Sequence, residues 1–69
     1  NPNNGIFEIK SSVSIKQVEV YNLFGKKINY YDLRYLNSLI LNLENHPKGM
    51  YFLKIFFNDR VLTKKTSYN

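Results

Sequence analysis

A chain of 69 residues holds one domain, and at this length too little surface is buried for stability to survive loose packing. It contains no cysteine, which excludes disulfide staples, thiol nucleophiles and zinc–thiolate centres, so packing falls largely to its six Tyr and five Phe. Ten Lys and Arg against five Asp and Glu give a net charge of +5, which favours acidic surfaces such as nucleic acid or anionic glycolipid without choosing between them.

The chain opens on Asn1-Pro2-Asn3-Asn4-Gly5, a turn by composition and neither basic nor apolar as a signal peptide would be. That opening reads as the start of a piece excised from a longer protein. From Ile6 onward the side chains alternate with period two. Phe7 and Ile9 share one face of a first strand over residues 6–10, with Glu8 and Lys10 on the other. A second strand over 15–22 sets Val18 and Val20 against Gln17, Glu19 and Tyr21. Asn22-Leu23-Phe24-Gly25 has Asn first and Gly last, the chemistry of a β-turn. Ile28 and Tyr30 then alternate with Lys27 and Asn29.

Residues 31–40 resist the pattern, because Leu33, Leu36, Leu39 and Ile40 are partly at helical spacing. The stretch is expected to be an irregular crossover ending in a short strand over 39–43, where Leu41 and Leu43 share a face. His46-Pro47-Lys48-Gly49 is a further turn, with Pro fixing φ and Gly free to take φ > 0. The longest strand follows. Tyr51, Leu53, Ile55 and Phe57 line one face, and Met50, Phe52, Lys54 and Phe56 the other, which predicts a central position covered on both sides. Phe57-Asn58-Asp59-Arg60 reads as a hairpin connection, and residues 60–65 as the last strand. Short strands separated by turn signals roughly every 8–12 residues predict an all-β sandwich. Its core would include Phe7, Ile9, Val18, Val20, Leu41, Leu43, Tyr51, Leu53 and Ile55. No run approaches the roughly 18 apolar residues of a membrane helix, so no membrane span is expected.

The inventory for catalysis is thin. The one histidine, His46, sits in a turn, and the acids are scattered without ligand spacing. No enzyme, metal or cofactor is expected. The face of Met50, Phe52, Lys54 and Phe56 would suit a single-stranded nucleic-acid platform. Large apolar side chains are usually buried, however, and no RNP-type signature is present, so nucleic acid is not expected as a partner. Exposed Tyr30, Tyr31 and Tyr35 leave a sugar-binding or adhesive module as an alternative.

Three stretches, in order and spanning nearly the whole chain, resemble the type A C-terminal sorting domain of the type IX secretion system of Bacteroidetes-type bacteria. They are Asn1-Pro2-Asn3-Asn4-Gly5-Ile6-Phe7-Glu8-Ile9, then Val18-Glu19-Val20-Tyr21-Asn22-Leu23-Phe24-Gly25-Lys26-Lys27-Ile28, then Leu41-Asn42-Leu43 with Pro47-Lys48-Gly49-Met50-Tyr51-Phe52-Leu53-Lys54-Ile55 and Thr63-Lys64-Lys65. The chain departs from the family pattern at His46, where an apolar residue is usual, and at Thr66-Ser67-Tyr68-Asn69, where the family continues with aliphatic residues. The resemblance implies an immunoglobulin-like antiparallel β-sandwich of about seven short strands. It further implies one domain over residues 1–69, carried by an exported cargo. Its partners would be the outer-membrane machinery and a surface signal peptidase, and its destination the cell surface or the medium by way of the periplasm. Within that frame Asn1, Pro2, Gly5, Gly25, Lys26 and Gly49 are motif and turn positions. Lys64 and Lys65, expected to be solvated, are the candidates for recognition.

Overall fold

The computed structural model describes residues 4–69; the motif positions Asn1 and Pro2 lie outside them. The described residues form four strands: β1 (Ile6–Asn22), β2 (Lys27–Asn42), β3 (Gly49–Phe56) and β4 (Val61–Tyr68). They make one antiparallel sheet in the order β2-β1-β3-β4. The expected immunoglobulin-like sandwich of about seven strands is therefore wrong. There is a single sheet, it does not close on itself, and no second sheet faces it among the described residues.

The excess of expected strands has a physical cause. Breaks in the side-chain alternation looked like chain reversals, and the structure absorbs them as irregularities inside two long strands. In β1 the pairing with β2 shifts between Lys10 and Ile15, where the four residues 11–14 stand against the single Asn37 of β2 in a continuous strand. Such bulges bend a strand and increase its twist without ending it. In β2 the pairing shifts where Arg34 and Tyr35 take φ of 51° and 68°. The Asp32 carboxylate accepts from the Arg34 backbone N–H at 3.2 Å and supports this local turn of the backbone. Residues 31–40 are thus part of a strand that pairs with β1 on both sides of this irregularity, not a crossover.

The short connections follow their chemistry. Asn22 accepts the Gly25 N–H at its carbonyl (3.0 Å), and its side-chain oxygen accepts from the Phe24 and Lys26 N–H groups, both at 3.0 Å. Gly25 sits at φ 83°, a region an L-residue enters at a cost of about 1–2 kcal/mol. Between β3 and β4 the Phe57 N–H donates to the Arg60 carbonyl at 2.8 Å and closes the last hairpin.

Directly paired residues share a face, so the register assigns both sides of the sheet. Val18 and Val20 of β1 lie beside Ile55 and Leu53 of β3, which lie beside Leu62 and Lys64 of β4. This inner face carries one buried cluster: Ile15, Val18, Val20, Leu33, Leu41, Leu43, Tyr51, Leu53, Ile55 and Tyr68. Phe7 and Ile9 are half-buried against it. The outer face carries Gln17, Glu19 and Tyr21 beside Phe56, Lys54 and Phe52. Central placement of β3 agrees with its two apolar faces, but only the inner one is covered.

Candidate functional site

Two surfaces gather the motif residues. The first is one end of the sheet, where the β1–β2 and β2–β3 connections meet. Asn22, Leu23, Phe24, His46, Pro47 and Met50 are among the residues lining a small cleft there, about 250 Å³ in volume. Gly25 and Lys26 complete the first connection, and Gly49, at φ 146°, leads from the second into β3. The Tyr51 hydroxyl donates to the Pro47 carbonyl and fixes the second connection to the core. His46 donates its backbone N–H to the Leu43 carbonyl at 2.9 Å.

Sequence reasoning missed the surface of this end. Phe24 is 91% exposed and Leu23 61%, an apolar pair held out to solvent on a tight turn. Their signal was position: two central turn residues have no sheet neighbour to pack against, so apolar identity there is not explained by the core.

The second surface is β4. Lys64 and Lys65 are both exposed, and as neighbours on a strand they point to opposite faces, Lys64 beside Leu53 and Lys65 beside Phe52. The tail beyond them is not loose. Thr66 and Ser67 are half-buried, and Tyr68 is only 8% exposed. Tyr68 lies over Gly5, where a built Cβ would come 3.0 Å from the Tyr68 ring and 3.1 Å from Glu44. Gly5 also holds φ 90°, so both conformation and space demand glycine. Its carbonyl accepts from the Leu43 N–H at 2.7 Å, tying the start of β1 to the end of β2. A larger cleft, about 420 Å³, runs between this first part of β1 and β4.

Between the two surfaces, the outer face is organised around Glu19, whose side chain is 12% exposed. Its carboxylate accepts from the Tyr21 hydroxyl at 2.6 Å and the Gln17 amide at 3.2 Å, and pairs with Lys27 at 3.5 Å. Lys54 lies 5.1 Å from the centre of the Tyr21 ring, a cation–π contact. The Tyr21 hydrogen bond holds the Glu19 carboxyl below its ordinary value, opposed by burial and helped by Lys27 and Lys54. Donation to that carboxylate pushes the Tyr21 hydroxyl above its own ordinary value, and burial adds to the effect. The pattern is that of a polar network satisfying itself, with no group poised for proton transfer to a substrate.

Among the described residues no cluster of His, Asp or Glu is placed to hold a metal ion, and no helix is long and apolar enough to cross a membrane. No curated protein and no solved structure matches the chain. The model of one family, the secretion system C-terminal sorting domain, matches residues 1–69. That domain is the defining signal of type IX secretion, which carries proteins through the periplasm to the cell surface of Bacteroidetes, and it is not an enzyme. Matched from one end to the other, with its two motif connections meeting at one end of the sheet, the chain belongs to the secretion system C-terminal sorting domain family.

Proposed function

We propose that residues 1–69 act as one self-contained label for an upstream cargo, and that the export machinery reads it through β4. In this reading Lys64 and Lys65 contact the machinery, while Gly5, Gly25 and Gly49 keep the shape that presents them. After passage a surface signal peptidase removes the label, and the cargo is freed or joined to anionic lipopolysaccharide. The observation that carries the reading is the family match over the whole length. The exposure of both lysines on a strand at the border of the sheet supports the choice of surface.

Fusion of residues 1–69 to the C-terminus of a periplasmic reporter, in a host with type IX secretion, is the test. The reporter is expected outside the cell and shortened by the mass of the label. A reporter that stays periplasmic while a verified sorting domain exports it sinks the proposal. Reversing both charges, Lys64→Glu with Lys65→Glu, is expected to lower export and leave far-ultraviolet circular dichroism unchanged. Loss of the β signal would move the two lysines from recognition to folding.

A further inference from the structure

Three strand edges of this sheet have no partner strand among the described residues: the outer side of β2, and two others whose residues line one cleft together with Leu53 and Ile55 of β3. β4 ends the sheet order, so the side of Val61–Tyr68 away from β3 bonds to no strand. In β1, pairing with β3 begins only at Gln17, so residues 6–10 bond to β2 alone. The contact between Gly5 and Tyr68 brings these edges together at one end. From there the cleft of about 420 Å³ opens between them. Phe7, Ile9 and Ile15 give it an apolar wall, and Leu62 an apolar lip. Its charged residues are Lys10, Lys64 and Lys65, against Glu8 alone, and Glu8 already lies 3.8 Å from Lys10.

Unpaired edges are where an extended segment adds to a sheet, with main-chain bonds giving affinity and alternate side chains giving selectivity. The charges select the occupant. A second copy pairing along the whole of β4, antiparallel, would set Lys64 opposite the other copy's Lys65. Like charges facing across strands are destabilising. An acidic segment meets the same positions with the opposite sign. The exposed apolar pair Val61 and Leu62, each about half accessible, asks for β-branched residues opposite them.

We propose that the machinery docks by adding one extended strand to the outer edge of β4, with two adjacent acidic residues facing Lys64 and Lys65 and β-branched residues facing Leu62 and Val61. The proposal deepens the reading of β4 as the recognition strand and rests on it.

The probe is a blocked peptide of sequence Thr-Glu-Glu-Thr-Val-Val-Thr, titrated into the 69-residue protein and followed by binding heat and amide hydrogen exchange. Binding that weakens with salt is expected, with exchange of the outward-facing β4 amides slowed by about tenfold or more. Lys64→Glu with Lys65→Glu, a peptide with lysine in place of glutamate, and a peptide N-methylated at alternate backbone nitrogens are each expected to abolish it. No binding at all, equal binding by the N-methylated peptide, or heat without protection of β4 overturns the proposal. Protection of β4 that rises with protein concentration alone, without peptide, assigns the edge to a second copy and also overturns it. If charge reversal blocks export while the peptide fails to bind, strand addition falls and recognition by the lysines stands.

Discussion

On the inner side of β1, Val18 and Val20 lose all contact with water; on the outer side, between them, Glu19 spends its carboxylate on Tyr21, Gln17 and Lys27. The same strand thus presents two surfaces under different forces. Inside, each large side chain removed from water contributes about 1.5–3 kcal/mol, and shape is what must be kept. Outside, where nothing covers the sheet, a net hydrogen bond contributes about 0.5–1.5 kcal/mol, and its strength follows pH. Folding is decided on one face, and the other is left free to vary or to be read.

The sharpest way to break that contrast is at β3. Leu53→Ala is expected to cost about 2–5 kcal/mol, enough to remove most of a small domain's stability and its cooperative thermal transition. Phe52→Ala, one residue away on the outer face, should cost less than half as much in the same melt. Equal losses would mean that the outer face is covered after all.

Next in size is a pair of glycines. Gly25→Ala places a side chain in open space and is expected to cost only the strain of its backbone, about 1–2 kcal/mol. Gly5→Ala adds a collision with the Tyr68 ring to the same strain and should cost more. Chemical denaturation of both variants measures the difference, and Tyr68→Leu in the Gly5→Ala background should recover part of it.

On the outer face, stability depends on pH through Glu19 and Tyr21. Glu19 has its pKa lowered by folding, so its contribution is full above the unfolded carboxyl's pKa and is lost as pH falls through the folded value. Tyr21 has its pKa raised, so its contribution is full below the unfolded phenol's pKa and is lost as pH rises through the folded value. Glu19→Gln should flatten the acid limb of stability against pH and weaken the alkaline one. Tyr21→Phe should remove the alkaline limb and leave part of the acid one, carried by Lys27. Denaturation midpoints across pH check both.

The smallest expected effect is at the turn end of the sheet. Phe24→Ala should change stability by no more than about 0.5 kcal/mol, because the ring is almost wholly in water. A loss beyond that, in the same denaturation experiment, would show that Phe24 has a packing role.

Much of this was legible in the chain. The turn at Asn22 to Gly25 announced itself because Asn and Gly each have a mechanism there, and the family was carried by motifs spread over the full length. The period-two runs named Val18, Val20, Leu41, Leu43, Tyr51, Leu53 and Ile55, which are buried, but not Ile15, Leu33 or Tyr68, which join them. What the sequence hid was continuity. Ser11-Ser12-Val13-Ser14 breaks the alternation in the manner of a loop, yet the structure keeps those residues inside β1 as a bulge. Arg34 and Tyr35 enter the left-handed region with no glycine or asparagine to advertise it. Strand order was hidden as well, because hydrophobic alternation fixes which way a side chain points and not which strand lies beside it. From those losses came the error of fold, in which the two long strands β1 and β2 were read as more numerous short ones. At the candidate surfaces the two lysines were visible as charges, but Leu23 and Phe24 were not, since exposure is a property of neighbours.

Gly5 and Tyr68 touch across almost the whole length of the chain. Contacts so distant in sequence slow folding, because the entropy of closing a long loop opposes them. This one joins the residue before β1 to the end of β4, so it can form only once all four strands have been made.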